Sequence, residues 1–99
     1  MHLIKQTDYF YKWLKKLKDI KGKVSIIRRI DRMKNGNFGD YKFVGSSVYE
    51  LRITVGPRYR VYYTLKSSDI IILLVGGDKS TQNEDIKKAQ TFAKEYQDG

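Results

Sequence analysis

The sequence predicts an α+β fold: an N-terminal helical hairpin packed on a mainly antiparallel sheet of four to five strands, with a C-terminal helix. Three observations predict it. Apolar residues recur at helical spacing in two segments before residue 36, residues 41–75 follow strand patterns, and a third helical pattern follows residue 81. Because 99 residues suffice for about one core and no linker interrupts the chain, we expect a single domain over residues 1–99.

The N-terminal third predicts a short strand and two helices. The strand covers residues 2–6, and the first helix begins near Thr7 or Asp8, either of which can accept hydrogen bonds from free backbone N–H groups. This helix ends near Gly22, and the second runs from about Val24 to Gly36. The residues expected to face the sheet are Phe10, Trp13, Leu14, Leu17, Ile26, Ile27, Ile30 and Met33.

Four further strands are predicted, at residues 41–44, 48–55, 59–65 and 70–75. A three-residue loop over 56–58 would join the second and third of these. That loop would pair Val55 with Tyr59, and would place Arg60, Tyr62 and Thr64 opposite Thr54, Arg52 and Glu50 on the polar face. The run Ile70–Val75 is apolar on both faces and is predicted as the central strand.

The closing helix is predicted to follow a pair of glycines. Gly76 and Gly77 end the last strand, and Ser80 or Thr81 opens the helix; Thr81 with Glu84 three residues later is typical of a capping box. We expect this helix to pack on the sheet through Ile86, Ala89, Ala93 and Tyr96.

Composition excludes several classes of chemistry. The chain has no cysteine and one histidine, His2, which excludes disulfides, zinc-finger sites and serine or cysteine triads, and we expect no metal or cofactor. Its longest apolar run, Ile70–Val75, is far below the roughly 18 residues of a membrane span, and no signal-peptide pattern follows Met1. We therefore expect a cytoplasmic protein without a membrane partner.

Positive charge is concentrated at the N-terminal end. The chain carries a net charge of +9, and residues 1–36 hold eleven basic against three acidic side chains. Such a surplus favours a polyanionic partner. Candidates for contact with a nucleic-acid backbone are Arg28, Arg29 and Arg32; the alternative is an ordinary solvated helix face.

The polar face of the two middle strands carries the strongest chemical signal. Glu50, Arg52, Arg60 and Tyr62 share it, two guanidiniums can hold phosphate oxygens bidentately, and a tyrosine can stack on a base. A solvated sheet face with cross-strand ion pairs is the alternative interpretation.

The segment from Gly76 to Thr81 lies between a strand and a helix start, where backbone N–H groups favour an anion. It lacks the GxxxxGK[ST] spacing of a nucleotide-binding loop. Lys79 remains a candidate for contact with phosphate, and an ordinary loop lysine is the alternative.

Four blocks of the sequence together resemble the HigB-like branch of the RelE/ParE toxin superfamily, whose members include phage-derived Gp49-like proteins. The blocks are WLKKLKD (13–19), RRIDRMKNGNFGDYKFVG (28–45), VYELRITVGPRYRVYY (48–63) and LLVGGDKSTQNEDIKKA (73–89). The resemblance implies a toxin of a type II toxin–antitoxin pair that cleaves mRNA on the ribosome through attack of a ribose 2′-OH. It also implies an antitoxin partner, commonly a helix-turn-helix protein.

The resemblance also suggests roles for individual residues. Arg52 and Arg60 match basic strand positions that stabilise the phosphate, and Lys79 falls near a basic residue after the last strand that could stabilise charge or act as an acid. Glu50 stands where RelE carries lysine and is the candidate base, or else orients Arg52. The remaining RNA-binding candidates are Tyr62, Arg58, Arg28, Arg29 and Arg32. ParE-like members instead inhibit gyrase without cleaving RNA, and a third reading is an RNA-binding module that has lost catalysis.

Overall fold

The computed structural model describes residues 1–98 and arranges them as a five-stranded sheet with helices on both faces. The strands are β1 (Leu3–Gln6), β2 (Tyr41–Gly45), β3 (Val48–Ile53), β4 (Tyr59–Ser67) and β5 (Ile70–Gly77). The helices are α1 (Asp8–Lys16), α2 (Ile20–Lys34) and α3 (Gln82–Asp98), with a 3-10 turn at Lys79–Thr81 before α3. The predicted α+β architecture is confirmed.

The sheet has the strand order β1-β5-β4-β3-β2. Strands β2 to β5 form an antiparallel meander, and β1 pairs in parallel with β5. The strand β5 is covered on both faces, as its apolar sequence predicts, but β4 occupies the middle of the sheet. Within residues 1–98, no helix combines the length and apolar character that crossing a membrane requires.

Two core layers lie on opposite faces of the sheet, because alternate residues of a strand point to opposite sides. The layer beneath the helical hairpin contains Phe10, Ile26, Met33, Leu51, Val61, Tyr63 and Ile71. The layer beneath α3 contains Val48, Tyr62, Ile72, Leu74, Ala89 and Ala93. Of the residues expected to face the sheet from α2, Ile27 instead remains 49% exposed.

The start of α2 differs from the prediction. The helix begins at Ile20 because Asp19 caps it, accepting a hydrogen bond from the backbone N–H of Gly22 at 3.1 Å. Gly22, predicted as a helix end, lies in the first turn, and a Cβ there would overlap the ring of Tyr59. The hydroxyl of Tyr59 donates to the second oxygen of Asp19 at 2.8 Å, which joins the helix start to β4.

This cap predicts a specific pH dependence of stability. The Gly22 N–H, followed by the Tyr59 hydroxyl, lowers the pKa of Asp19 below its ordinary value of 3.8. A carboxylate with a lowered pKa in the folded state contributes stability above its unfolded pKa, and that contribution is lost as pH falls through the folded pKa. We expect Asp19→Asn, which still caps, to show a weaker loss of stability below pH 3.8 than wild type in denaturant unfolding. Equal pH profiles for the two proteins would contradict the assignment.

The β3–β4 register is two residues away from the predicted one. Leu51 pairs with Val61 and Arg52 with Arg60, so the connection runs over residues 54–58 instead of 56–58. A shift of two residues leaves each side chain on its predicted face, which is why the hydrophobic pattern did not distinguish the two registers.

The two glycines at the end of β5 do not terminate it but remain paired with β4. A Cβ on Gly76 would overlap the indole of Trp13 on the hairpin side, and one on Gly77 would overlap the carboxylate of Asp85 on the α3 side. Burial raises the pKa of Asp85, which accepts a hydrogen bond from Thr81. The glycine pair therefore allows close approach from both faces.

Candidate functional site

A cleft of about 500 Å³ lies at the β3–β4 hairpin end of the sheet. It is lined by Asp40, Arg52, Ile53, Thr54, Gly56, Arg58 and Arg60. Arg52 and Arg60 are directly opposite each other on neighbouring strands and on one face, a position in which like charges repel. Each guanidinium has its own carboxylate, Asp40 for Arg52 and Glu50 for Arg60.

The ion pair of Arg52 is exposed. Its Nη2 and Nε donate to Oδ1 of Asp40 at 2.9 and 3.2 Å, and the two side chains are 37% and 51% exposed. Exposed pairs of this kind contribute only about 0–1 kcal/mol. An incoming anion can therefore compete with Asp40 for this guanidinium.

Arg60 is held more tightly. The residue is 9% exposed, its Nη1 donates to the carbonyl of Arg58 at 2.9 Å, and its Nε lies 3.4 Å from Oε2 of Glu50. Within residues 1–98, Nε makes no hydrogen bond and Nη2 has no partner. The guanidinium thus retains unused donors beside the cleft.

Glu50 and Tyr62 lie beneath α3, contrary to the expectation of an open polar face. They are 1% and 0% exposed, and Oε2 of Glu50 accepts from the Tyr62 hydroxyl at 3.0 Å and from Nε2 of Gln82 at 2.8 Å. Burial, then the negative charge of Glu50, raises the pKa of Tyr62, so the phenol stays a donor. A buried ring cannot stack on a base, and Glu50 contacts Arg60 instead of orienting Arg52.

The 3-10 turn before α3 lies against the hairpin loop. The Lys79 N–H donates to the carbonyl of Pro57 at 3.5 Å. The exposed residues Lys79 and Arg58 therefore lie on segments that contact each other. The carboxylate of Asp78 already accepts from the Ser80 N–H at 2.8 Å. This Asp78–Thr81 capping box replaces the predicted one at Thr81 and Glu84. It also uses the Ser80 N–H, a donor that the predicted anion site would need.

The three arginines of α2 divide into two groups. Arg29 donates from Nη1 to the Arg52 carbonyl and from Nη2 to the carbonyls of Phe38 and Asp40, each at 3.2 Å. Burial lowers its pKa. Arg28 and Arg32 are exposed and, together with Arg29, line a second groove of about 300 Å³ that shares Ile53 and Thr54 with the cleft. Arg29, predicted to bind RNA, therefore joins α2 to the strand ends.

These placements predict unequal effects on stability for two neighbouring arginines. Arg29→Gln leaves backbone carbonyls without their charged donor, so we expect a loss of about 2 kcal/mol in the free energy of unfolding. Arg28→Gln removes an exposed charge and should change stability by less than about 0.5 kcal/mol. Urea unfolding of both variants checks this, and equal losses would contradict it.

Sequence reasoning missed two residues of this site. Asp40 lies in a turn-rich segment and lines the cleft, and Gln82 reaches from α3 to Glu50. A glutamine near a helix start is ordinarily solvated, and no spacing signal distinguishes one that contacts a buried carboxylate.

Comparison with known proteins identifies the family. Residues 12–97 match the family described as Phage derived protein Gp49-like (DUF891). The chain belongs to this family. A protein of Haemophilus influenzae strain Rd, described as uncharacterized, is 50% identical to this Gp49-like chain over 92 residues, which is 93% of each.

A solved structure confirms the RelE-like fold of this Gp49-like chain. The crystal structure of the isolated E. coli RelE toxin matches with a TM-score of 0.66 and covers 88% of this chain and 97% of its own. The two sequences are 13% identical, so this likeness concerns the fold.

Proposed function

We propose that this protein is the toxin of a type II toxin–antitoxin system and that it cleaves mRNA on the ribosome. The observation that carries the proposal is the pair Arg52 and Arg60, directly opposed in one cleft with unused donors. The Gp49-like family and the RelE-like fold support it.

The cleft suits a phosphodiester whose charge increases during reaction. As the 2′-oxygen forms a bond to phosphorus and the bond to the 5′-oxygen breaks, negative charge accumulates on the phosphoryl oxygens. Arg60 offers Nη2 from a fixed position, and Arg52 can turn from Asp40 to the phosphate. Lys79, beside the loop, is proposed to stabilise charge or to protonate the leaving 5′-oxygen.

The candidate general base in the structure is Asp40 instead of Glu50. A general base must come within hydrogen-bond reach of the 2′-OH, and Glu50 is 1% exposed behind Arg60. Asp40 lines the cleft with half of its side chain exposed, so it becomes the candidate that accepts the proton. Glu50 then acts through its ion pair with Arg60.

Further contacts are proposed in the cleft and in the second groove. Arg58 in the cleft and Arg28 and Arg32 in the groove would bind phosphates of ribosomal RNA and mRNA, so binding should weaken steeply with salt. A small protein that relies on the ribosome to position its substrate would be inactive on free RNA. With ribosomes and mRNA as its targets, the toxin in this proposal would act in the cytoplasm.

The antitoxin partner, a helix-turn-helix protein in this proposal, would mask a basic and apolar surface. Ile20, Val24 and Ile27 of α2 are 76%, 41% and 49% exposed and follow one helical stripe. Exposed basic residues of the same region surround the stripe, which suits an acidic segment with an apolar side.

Induced expression in bacteria tests the proposed function. We expect growth arrest together with new 5′ ends inside translated codons, mapped across the transcriptome soon after induction. DNA damage with intact mRNA would contradict the proposal and indicate a gyrase inhibitor. Arrest with ribosome binding but without new 5′ ends would indicate RNA binding that lacks catalysis.

A further inference from the structure

Three glutamines of α3 donate hydrogen bonds to the sheet below. Gln90 and Gln97 donate from Nε2 to neutral groups, the carbonyl of Val44 at 2.9 Å and the hydroxyl of Thr64 at 3.2 Å. Gln82 instead donates to the carboxylate of Glu50 at 2.8 Å. Hydrogen bonds to a charged group are roughly twice as strong as neutral ones. Of these three glutamines, Gln82 is therefore the one that contacts the charged pair of Glu50 and Arg60 beside the cleft.

The spacing between Glu50 and Arg60 is unusual. Oε2 of Glu50 lies 3.4 Å from Nε of Arg60, whereas charge-assisted N–H···O bonds measure about 2.7–2.9 Å. Nε is buried and makes no hydrogen bond to the residues that the structure describes. The same Oε2 is already occupied by Gln82 and Tyr62, which approach it from α3 and β4. Two donors other than Arg60 therefore compete for this oxygen.

We propose that Gln82 is a positioning residue for Arg60: by holding Oε2 of Glu50, it keeps the carboxylate from closing on Nε and leaves the guanidinium turned toward the cleft. The inference rests on the phosphate role proposed above for Arg60. It also makes the first turn of α3 part of the site, although Gln82 contacts no substrate.

Removing the Gln82 donor has a defined expected result. In Gln82→Met, which preserves length, Glu50 loses one of its two neutral donors and closes on Nε of Arg60. The guanidinium is drawn back from the cleft, and its affinity for an anion falls. We expect about tenfold weaker binding of inorganic phosphate, the scale of one lost hydrogen bond to a charged group.

The experiment follows the Arg60 Nε–Hε resonance by NMR while inorganic phosphate is titrated into the full-length protein. The resonance is assigned by its absence in Arg60→Lys. Gln82→Met is compared with Gln90→Met, the matched control, which loses a helix-to-sheet hydrogen bond of similar length away from Glu50. We expect a downfield shift and weaker phosphate binding in Gln82→Met, and the wild-type position and affinity in Gln90→Met.

A double-mutant cycle tests whether Gln82 acts through Glu50. In a Glu50→Gln background, Gln82→Met should cause no further change in phosphate affinity. An unchanged Arg60 resonance in Gln82→Met, or equal effects of Gln82→Met and Gln90→Met, would overturn the inference. If phosphate leaves the wild-type resonance in place while Gln82→Met still moves it, the positioning role holds and the phosphate site fails.

Discussion

Arg60→Ala is expected to abolish growth arrest and to lower the rate of mRNA cleavage by about 10²–10³-fold. This is the usual scale for removing one preorganised donor to a charge that develops during reaction. Arg60 is 9% exposed and fixed between the Arg58 carbonyl and Glu50, so water cannot easily replace it. The measurement is the frequency of new 5′ ends after induction, compared with wild type at equal protein level.

Two controls separate catalysis from folding. Arg60→Ala leaves the buried Glu50 without its cation, so a Glu50→Gln, Arg60→Ala double variant is made to restore neutrality, and both are checked by circular dichroism. Lys66→Ala removes an exposed cation from the opposite end of β4 and should retain full cleavage. Normal cleavage by a folded Arg60→Ala would show that the phosphate role assigned to Arg60 is wrong.

Gly76→Ala is expected to lower the free energy of unfolding by about 3 kcal/mol and the Tm by roughly 10 °C or more. Its Cβ would overlap the Trp13 indole, and the neighbouring backbone is fixed because Gly76 pairs with Val61 in the interior of the sheet. The indole also packs near Phe10 and Tyr59, with ring centroids 5.8 and 6.2 Å away, and has little room to move. Thermal and urea unfolding of the purified variant check the size of the loss.

A second variant identifies the cause of that loss. Trp13→Leu removes the ring that meets the new Cβ, so the combined Gly76→Ala, Trp13→Leu protein should be less destabilised than the two single losses added together. Additive losses would mean that the alanine acts on the strand itself and that the indole is not responsible.

The sequence was sufficient to predict the helices and strands and the side of the sheet to which each strand residue points. Both follow from the spacing of apolar residues. The alternation of apolar and polar residues along the strands predicts that Leu51 and Val61 face the hairpin. Two registers that differ by two residues satisfy this alternation equally well. The five-residue connection over residues 54–58 decides between them, with Gly56 and Arg58 at positive φ. Turn conformation of this kind depends on the fitted sheet and is not visible in a hydrophobic pattern.

The candidate site was predicted only in part, because the sequence does not show which polar residues α3 covers. Arg52 and Arg60 were expected on one flank of the sheet, and they lie opposite each other at the cleft. Glu50 and Tyr62 read as exposed because polar residues ordinarily are, but α3 supplies a polar partner where it covers them. Likewise, the sequence does not distinguish the neighbouring residues Arg28 and Arg29. Arg29 has a structural role because the carbonyls of Phe38 and Asp40 lie within hydrogen-bond distance of its guanidinium.

The parallel partnership of β1 with β5 bears on the order in which the chain folds. The Thr7 hydroxyl donates to the Leu74 carbonyl across 67 positions of the sequence, whereas tight turns join the strands of the meander. Ordering so long a loop costs more chain entropy than closing the short turns. During synthesis β1 leaves the ribosome before β5, the last strand of the sheet, so we expect the sheet edge formed by β1 to be completed late.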